Sequence, residues 1–410
     1  MALTAFLHGH AAWAASFQFR DFKFLWGSTL LQSLGMGMEH VALGWLVFEL
    51  TDSPFMVGLA SAARMAPFFF LGILSGAVAD RVDRRVFLRF LASGAAVIAV
   101  LMAALLVTDV ARVWHVMALA VAMGCIWAFT MTLRQAYTYD VVGAEYALNG
   151  LALNSLSQRV GGVAGALMAG AIIATLGVGA QYLAVSASYL AGGLVLLAVR
   201  GVGRAAATEH QPVLRSVVGY VQLIRGNRTL MILMLLAAAT EVFGFTHQSL
   251  LPVFARDELH VGAVGLGVMS AVRQGGGILG LLLLASLGDF RRKGQVMFAA
   301  AVAFGLGLMV FSVATNIFVF VLVLALVNAS ASVADTLYKT LMQRNVPNEQ
   351  RGRAMGSWVL SIGTAPAGHI GIGAVAGALG APAALLINGG ILTFIGVTTA
   401  LGLPRIRRLS

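Results

Sequence analysis

Twelve stretches of this chain are long and apolar enough to cross a lipid bilayer as helices, and they leave little sequence for anything else. A helix needs about 20 predominantly apolar residues to span the hydrocarbon core. The runs are Phe24–Phe48, Phe55–Ala79, Val86–Val107, Val113–Ala136, Asn149–Leu176, Tyr182–Val199, Thr229–Phe254, Ala263–Gly288, Gln295–Ala314, Ile317–Met342, Ala354–Gly380 and Pro382–Leu403. Barrel strands are shorter and alternate polar with apolar positions, which these runs do not. Only 10% of the 410 residues are charged, against about 25% in soluble domains. The expected fold class is an all-α membrane protein with twelve transmembrane helices.

The charges say how the helices are oriented. A net charge of +11 would suit a nucleic-acid binder, but the cations sit in the connections between apolar runs. Arg20, Lys23, Arg81, Arg84, Arg85, Arg89, Arg200, Arg204, Arg215, Arg225, Arg228, Arg291, Arg292, Lys293, Arg344, Arg351, Arg353, Arg405, Arg407 and Arg408 fall on one side of the membrane, and Arg112 and Arg256 on the other. Lys and Arg mark the cytoplasmic side, so both termini are expected in the cytoplasm. Cys125 is the single cysteine, which excludes an intrachain disulfide and argues against a cysteine metal site. His8 and His10 interrupt the apolar start, so it is not read as a signal peptide. Ala11–Phe17 is expected to form a short surface helix.

The sequence repeats itself. Gly58, Arg64 and Asp80 recur 209 residues later as Gly267, Arg273 and Asp289, and Val142-Gly-Ala-Glu145 is echoed by Val346-Pro-Asn-Glu349. The long polar stretch 200–228 separates the copies. The expected organisation is therefore a bundle over 1–199, a cytoplasmic linker over 200–228 and a second bundle over 229–410. Glycine collects in runs two, five, eight and eleven, including Gly72, Gly76, Gly161, Gly165, Gly170, Gly276, Gly280, Gly363, Gly373 and Gly377. Small residues let membrane helices approach closely.

Between runs two and three lies Gly76-Ala-Val-Ala-Asp80-Arg81-Val-Asp83-Arg84-Arg85. This G-x-x-x-D-R-x-x-R-R pattern between two spans resembles the loop between helices 2 and 3 of major facilitator superfamily transporters. Phe19-Arg-Asp-Phe-Lys-Phe-Leu-Trp26, Leu251-Pro-Val-Phe-Ala-Arg256 and Val346-Pro-Asn-Glu-Gln-Arg-Gly-Arg353 are similar to the drug- and siderophore-exporter branch. Arg159-Val-Gly-Gly162 keeps the arginine and glycines of the antiporter motif in helix 5, with Val163 where its proline would stand. The resemblance implies two pseudo-symmetric six-helix bundles, a substrate site between them, rocking on helices 2, 5, 8 and 11, and a monomer in a bacterial cytoplasmic membrane. It also implies a conformational latch of Gly76, Asp80, Arg81, Arg84, Arg85, Asp140 and Glu145, with the three arginines reaching the two acids after span four.

Charge within a bilayer is costly and marks cavities or partners. Glu39 and Glu241 are candidates for proton coupling. Asp335 lies four residues before Lys339, the spacing of a helical ion pair. Arg134, near the cytoplasmic end of span four, either snorkels or, by its resemblance to the helix 4 arginine of drug antiporters, serves coupling. Arg159 lies deeper, placed to pair an acid or bind an anionic substrate. Arg64 and Arg273 are read in a matched structural role. His40 is expected to point away from Glu39. Trp45, Trp127, Phe243, His247, Gln248, Asn328, Trp358 and His369 are candidate pocket residues, although any one of them could simply pack. No spacing suggests a metal or cofactor, and no phosphate loop or nucleophile elbow suggests an enzyme. Three readings follow: a proton-coupled exporter of an amphipathic small molecule such as a drug or siderophore, an uptake permease for an organic anion using Arg159 and Arg64, or a non-transporting scaffold or sensor.

Overall fold

The computed structural model describes residues 14–79, 81–201, 203, 225–347 and 350–409, without the side chains of 72, 73, 76, 77, 351–353 and 356. No strand occurs among the described residues. The helices are α1 (Arg20–Thr51), α2 (Pro54–Ala79) and α3 (Arg84–Val107), then one continuous helical stretch, Val113–Leu197. At about 1.5 Å per residue those 85 residues would reach roughly 130 Å, some four bilayer cores. Gly143 and Gly177 break it, with φ of 76° and 81°. Side chains disfavour that left-handed region and glycine does not. The stretch therefore divides into α4 (113–142), α5 (144–176) and α6 (178–197).

The second half contains α7 (Arg228–Glu258), α8 (Gly262–Ser286), α9 (Lys293–Ser312), α10 (Ile317–Arg344), α11 and α12 (Ala381–Gly402). α11 is two pieces, Arg351–Ile362 and Ala365–Leu379. Nine described helices are long and apolar enough to cross a membrane, Val113–Leu197 counting once. Dividing that stretch at its two glycines and adding α1 makes twelve rods. α1 misses the apolar criterion because Gln32, Glu39 and several serines and threonines interrupt it. Half its residues are buried in the bundle, where polar side chains find partners. Outward faces carry exposed Phe70, Phe90, Phe318, Leu322 and Phe394, an apolar surface suited to lipid.

Several edges differ from the sequence reading. The connection expected over 137–148 is helical on both sides of Gly143, because no proline or strong turn residue stops α4 earlier. Of the surface helix expected over 11–17, residues 11–13 lie outside the described set, and the described part falls in the single turn Ala15–Gln18. Its Phe17 packs edge-on against Phe22 and Trp26. Most of the linker 200–228 also lies outside the described residues.

α1 packs along the 113–197 stretch, as does α3. α9 packs on α10 and α12, and α8 on α10. The two bundles meet where α2 lies along the second piece of α11 and where α5 meets α8. These crossings lie near the end at which α1 turns into α2, here the Asp52 end. A Cβ on Gly373 would stand 3.0 Å from the Pro54 carbonyl oxygen and 3.2 Å from Gly58 Cα. A Cβ on Gly267 would stand 2.7 Å from the Ala166 oxygen and 3.0 Å from Gly170 Cα. At the opposite, Arg84 end, α2 touches the first piece of α11 only sparsely.

The glycines thus fall into two groups. Gly58, Gly170, Gly267 and Gly373 serve the contact between bundles. Gly161 and Gly165 admit α1 through the backbone of Leu30 and Leu34, and Gly276 and Gly280 admit Ala325 and Ala329 of α10, so these four pack within a bundle. Gly371 has open space where a side chain would go. Gly373→Val should therefore destabilise the detergent-purified protein by about 1–3 kcal/mol, the usual cost of overpacking, while Gly371→Val leaves the thermal midpoint nearly unchanged.

Candidate functional site

Three polar constellations interrupt the apolar helices. The first is at the Arg84 end. Asp83 caps α3 by accepting hydrogen bonds from the Arg85 and Val86 amides. That turn directs Arg84 inward, where Nη1 donates to both oxygens of Asp140 at 2.8 and 2.7 Å and Nε donates to the Ala79 carbonyl at 2.9 Å. Only this arginine reaches an acid of α4, so the expected three-arginine contact is corrected. Arg85 donates to the Arg200 carbonyl at 2.6 Å and lies 3.6 Å from Asp83. Arg81 and Glu145 are exposed, with no partner among the described residues. A long side chain on an exposed turn gains little from a fixed ion pair. Asp80 lies outside the described residues, and of Gly76 only the helical backbone is described.

Two features here carried no sequence signal. Asp21 accepts from the amides of Arg200 and Gly201, and Tyr137 donates to the Gly201 carbonyl at 2.6 Å. They tie the segment leaving α6 to the first bundle. In the second half, Asp289 accepts from Lys293 and Arg344 at 2.7 and 2.8 Å. Those two hydrogen bonds hold its carboxyl below the ordinary aspartate range.

The second constellation is central. Glu39, on α1, is 3% exposed and accepts from Arg64 Nη2 of α2 at 2.6 Å. Arg64 Nη1 lies 2.9 Å from His40 Nδ1. A guanidinium can only donate, so this imidazole accepts at Nδ1 and carries its proton on Nε2. His40 was expected to point elsewhere; the turn of α1 instead lets adjacent residues grip one arginine from two sides. Arg64 and Arg273 of α8 line one cavity of about 90 Å³ with His40, Ser270 and Gln274. An adjoining cavity of about 50 Å³ shares Arg64 and is also lined by Gln248, Ser249 and His369. The repeat-related arginines therefore differ: Arg64 is neutralised by Glu39, while Arg273 has no ion pair or hydrogen bond among the described residues, and its buried Nε lacks an acceptor.

The third constellation involves α7, α10 and α11. α7 widens into a π-helical turn over Thr240–Gly244 and tightens into a 3₁₀ turn over Phe245–Leu250. Such interruptions often mark functional sites. Glu241 lies on the π turn and has no hydrogen bond or ion pair among the described residues. Asp335 and Lys339 form the spaced ion pair at 2.6 Å. Trp358 of α11 donates to Asp335 at 2.8 Å, and Lys339 sits over the Trp358 ring.

The remaining candidates scatter. Arg134 donates to Gln32 at 2.6 Å rather than to an acid, and it lines a separate cavity of about 190 Å³ between α4 and α5. Arg159 forms no ion pair or hydrogen bond among the described residues, and Asp335 is the acid that acts on its charge. Trp45, Trp127 and Phe243 pack against the apolar core. His247 bonds to the Gly244 carbonyl and Asn328 to the Leu324 carbonyl. Of the pocket candidates, Gln248 and His369 line the central cavity, and His369 is held by Ser249 at 2.6 Å.

The Asp52 end is fastened between the bundles by Arg256. It donates to Asp52 at 2.6 Å and to the Phe48 carbonyl, and lies 3.8 Å from the Phe48 ring centroid. Asp52 is 78% exposed. Exposed pairs contribute about 0.2–1 kcal/mol, so the glycine crossings, not this pair, carry most of the closure.

A helical, lipid-faced molecule with polar cavities between two bundles is a membrane transporter in architecture. A family model described as "transmembrane secretion effector" matches residues 11–408, and the chain belongs to that family of the major facilitator superfamily. Its relatives include a staphyloferrin A transporter of Staphylococcus aureus, 24% identical over 85% of this chain and 87% of the relative. An enterobactin exporter of Citrobacter koseri is 26% identical over 94% and 92%. A multidrug efflux pump of Mycolicibacterium fortuitum is 26% identical over 93% and 95%. The solved nucleoside transporter NupG shares the fold, with a TM-score of 0.76 over 93% of this chain and 99% of that one at 16% identity. The chain is a transporter and not an enzyme.

A double-mutant cycle on Arg84→Ala and Asp140→Ala should return a coupling of about 0.5–3 kcal/mol in thermal unfolding. Arg81→Ala should change stability by less than about 0.5 kcal/mol, as surface changes usually do.

Proposed function

We propose that this protein exports an amphipathic small molecule of the drug or siderophore kind in exchange for protons, by alternating access between bundles 1–199 and 229–410 joined by the linker 200–228. Relatives named as an enterobactin exporter and a multidrug efflux pump support the cargo class and direction. In this reading the Arg84 end and both termini face the cytoplasm, which the Lys and Arg bias supports, and the membrane is a bacterial cytoplasmic membrane. On that orientation the glycine crossings and Arg256 close the outer side in the described conformation. The protein works as a monomer in this reading.

The observation that carries the proton step is Glu241. It is a carboxyl well inside α7, on a helical irregularity, with no hydrogen bond or ion pair among the described residues, and the neighbouring Lys339 is already paired with Asp335. A carboxyl at membrane depth with no ion pair of its own is a group that can take a proton there and release it when water reaches it. Glu39 differs because Arg64 grips it. This divides the two acids expected to couple: Glu241 exchanges the proton and Glu39 anchors the first bundle. Asp335, already paired with Lys339, keeps the second cluster polar.

Proteoliposomes holding an imposed pH gradient test this. Addition of enterobactin, staphyloferrin A or ethidium should collapse the gradient with at least one of them, and empty liposomes should not respond. Glu241→Gln should cut that proton flux at least tenfold while substrate counterflow persists. Glu39→Gln should instead lower the thermal midpoint by leaving Arg64 unpaired, at a cost of roughly 3–5 kcal/mol. Unchanged proton flux in Glu241→Gln would overturn the assignment.

A further inference from the structure

Arg273 is an arginine inside the membrane for which the described residues provide no counter-charge. It sits near the middle of α8, twelve residues into Gly262–Ser286. Its repeat counterpart Arg64 lines the same cavity, but the Glu39 carboxylate at 2.6 Å already balances that charge. The cavity between them thus holds two guanidinium groups against one carboxylate. His40 adds no negative charge, and its Nδ1 is taken by Arg64. Ser270 lies three residues before Arg273, on the same side of the helix, and Gln274 follows it. Both face the cavity and can donate to an oxygen that approaches the guanidinium.

A buried charge without a partner is strongly unfavourable and survives where a ligand supplies the partner. A guanidinium is planar and presents paired N–H groups that match a carboxylate. About 90 Å³ of space accommodates a carboxylate with its first carbons, but not a whole amphipathic cargo. The adjoining cavity, rimmed by Val41, Leu43, Val57, Leu251 and Pro252, offers an apolar continuation.

We propose that Arg273, with Ser270 and Gln274, binds a carboxylate group of the transported molecule in the central cavity, the apolar part of that molecule lying toward Val57 and Pro252. The cargo is thereby a carboxylate-bearing amphipath. The proposal rests on the transporter reading above but not on its proton step.

The test uses the full-length protein in detergent with two small probes, hexanoic acid and its methyl ester, read by isothermal titration calorimetry. The wild type should bind the acid at least tenfold more tightly than the ester. Arg273→Gln should reduce that preference to about one while ester binding persists, and Arg273→Lys should retain part of it. Without any probe, Arg273→Gln should unfold at the wild-type temperature or higher, because it removes an uncompensated charge. A wild type with no preference for the acid, including one that binds neither probe, overturns the proposal. So does an Arg273→Gln protein that keeps the preference, or one that unfolds well below the wild type. Acid preference without proton flux in proteoliposomes would retain the carboxylate site and reject proton coupling, so the two readings fail separately.

Discussion

Charge in a medium without water is the constraint on which this structure turns. Each ionised group among the helices must find a counter-charge, a hydrogen-bonding cage or a ligand. Glu39 and Arg64 satisfy one another across α1 and α2, with His40 completing the cage. Asp335, Lys339 and Trp358 form a comparable set in the second bundle. Among the described residues, Glu241, Arg159 and Arg273 form no ion pair or hydrogen bond. The cation beside Glu241, Lys339, is already paired with Asp335, and Arg273 has no acid against it. A carboxyl of the first kind resolves its charge by taking a proton, and an arginine of the second kind by taking an anion. On the functions proposed above, Glu241 on the irregular turn of α7 exchanges the proton and Arg273 beside the central cavity holds the cargo.

Movement requires that the bundles meet closely and separate cheaply. Lipid tails are as apolar as leucine, so little hydrophobic force holds membrane helices together, and packing must do it. Gly58 against Gly373 and Gly170 against Gly267 bring backbones into contact at the Asp52 end. Such backbone contact weakens quickly when helices tilt, because it tolerates little separation. Arg256 adds an exposed ion pair of small worth. The Arg84–Asp140 pair acts elsewhere. It staples α3 to α4 inside one bundle, keeping that bundle rigid as a unit.

Much of the fold was legible in the chain because lipid imposes length and polarity with few exceptions. The apolar runs, the repeat at 209 residues and the positively charged connections needed no three-dimensional information. The Asp335–Lys339 pair was legible for the same reason, since helical spacing alone brings the two together. The latch was only partly legible. Arg84, Arg85 and Arg81 look alike in sequence, and only the turn capped by Asp83 decides that Arg84 points inward.

The sequence by itself determined that this is a helical membrane protein in two related halves, with acids and arginines at membrane depth. Helix length, hydropathy and loop charge are local properties, so a single chain displays them. Only the tertiary structure decided which charges neutralise each other. Arg64 and Arg273 hold matching places in the repeat, yet one meets Glu39 and the other faces a cavity. That difference arises because α1 brings an acid to Arg64 across 25 residues of chain, whereas Gln248, the residue at the corresponding place in α7, carries no charge. Pairing depends on which helix faces meet, and that is a property of the packed bundle.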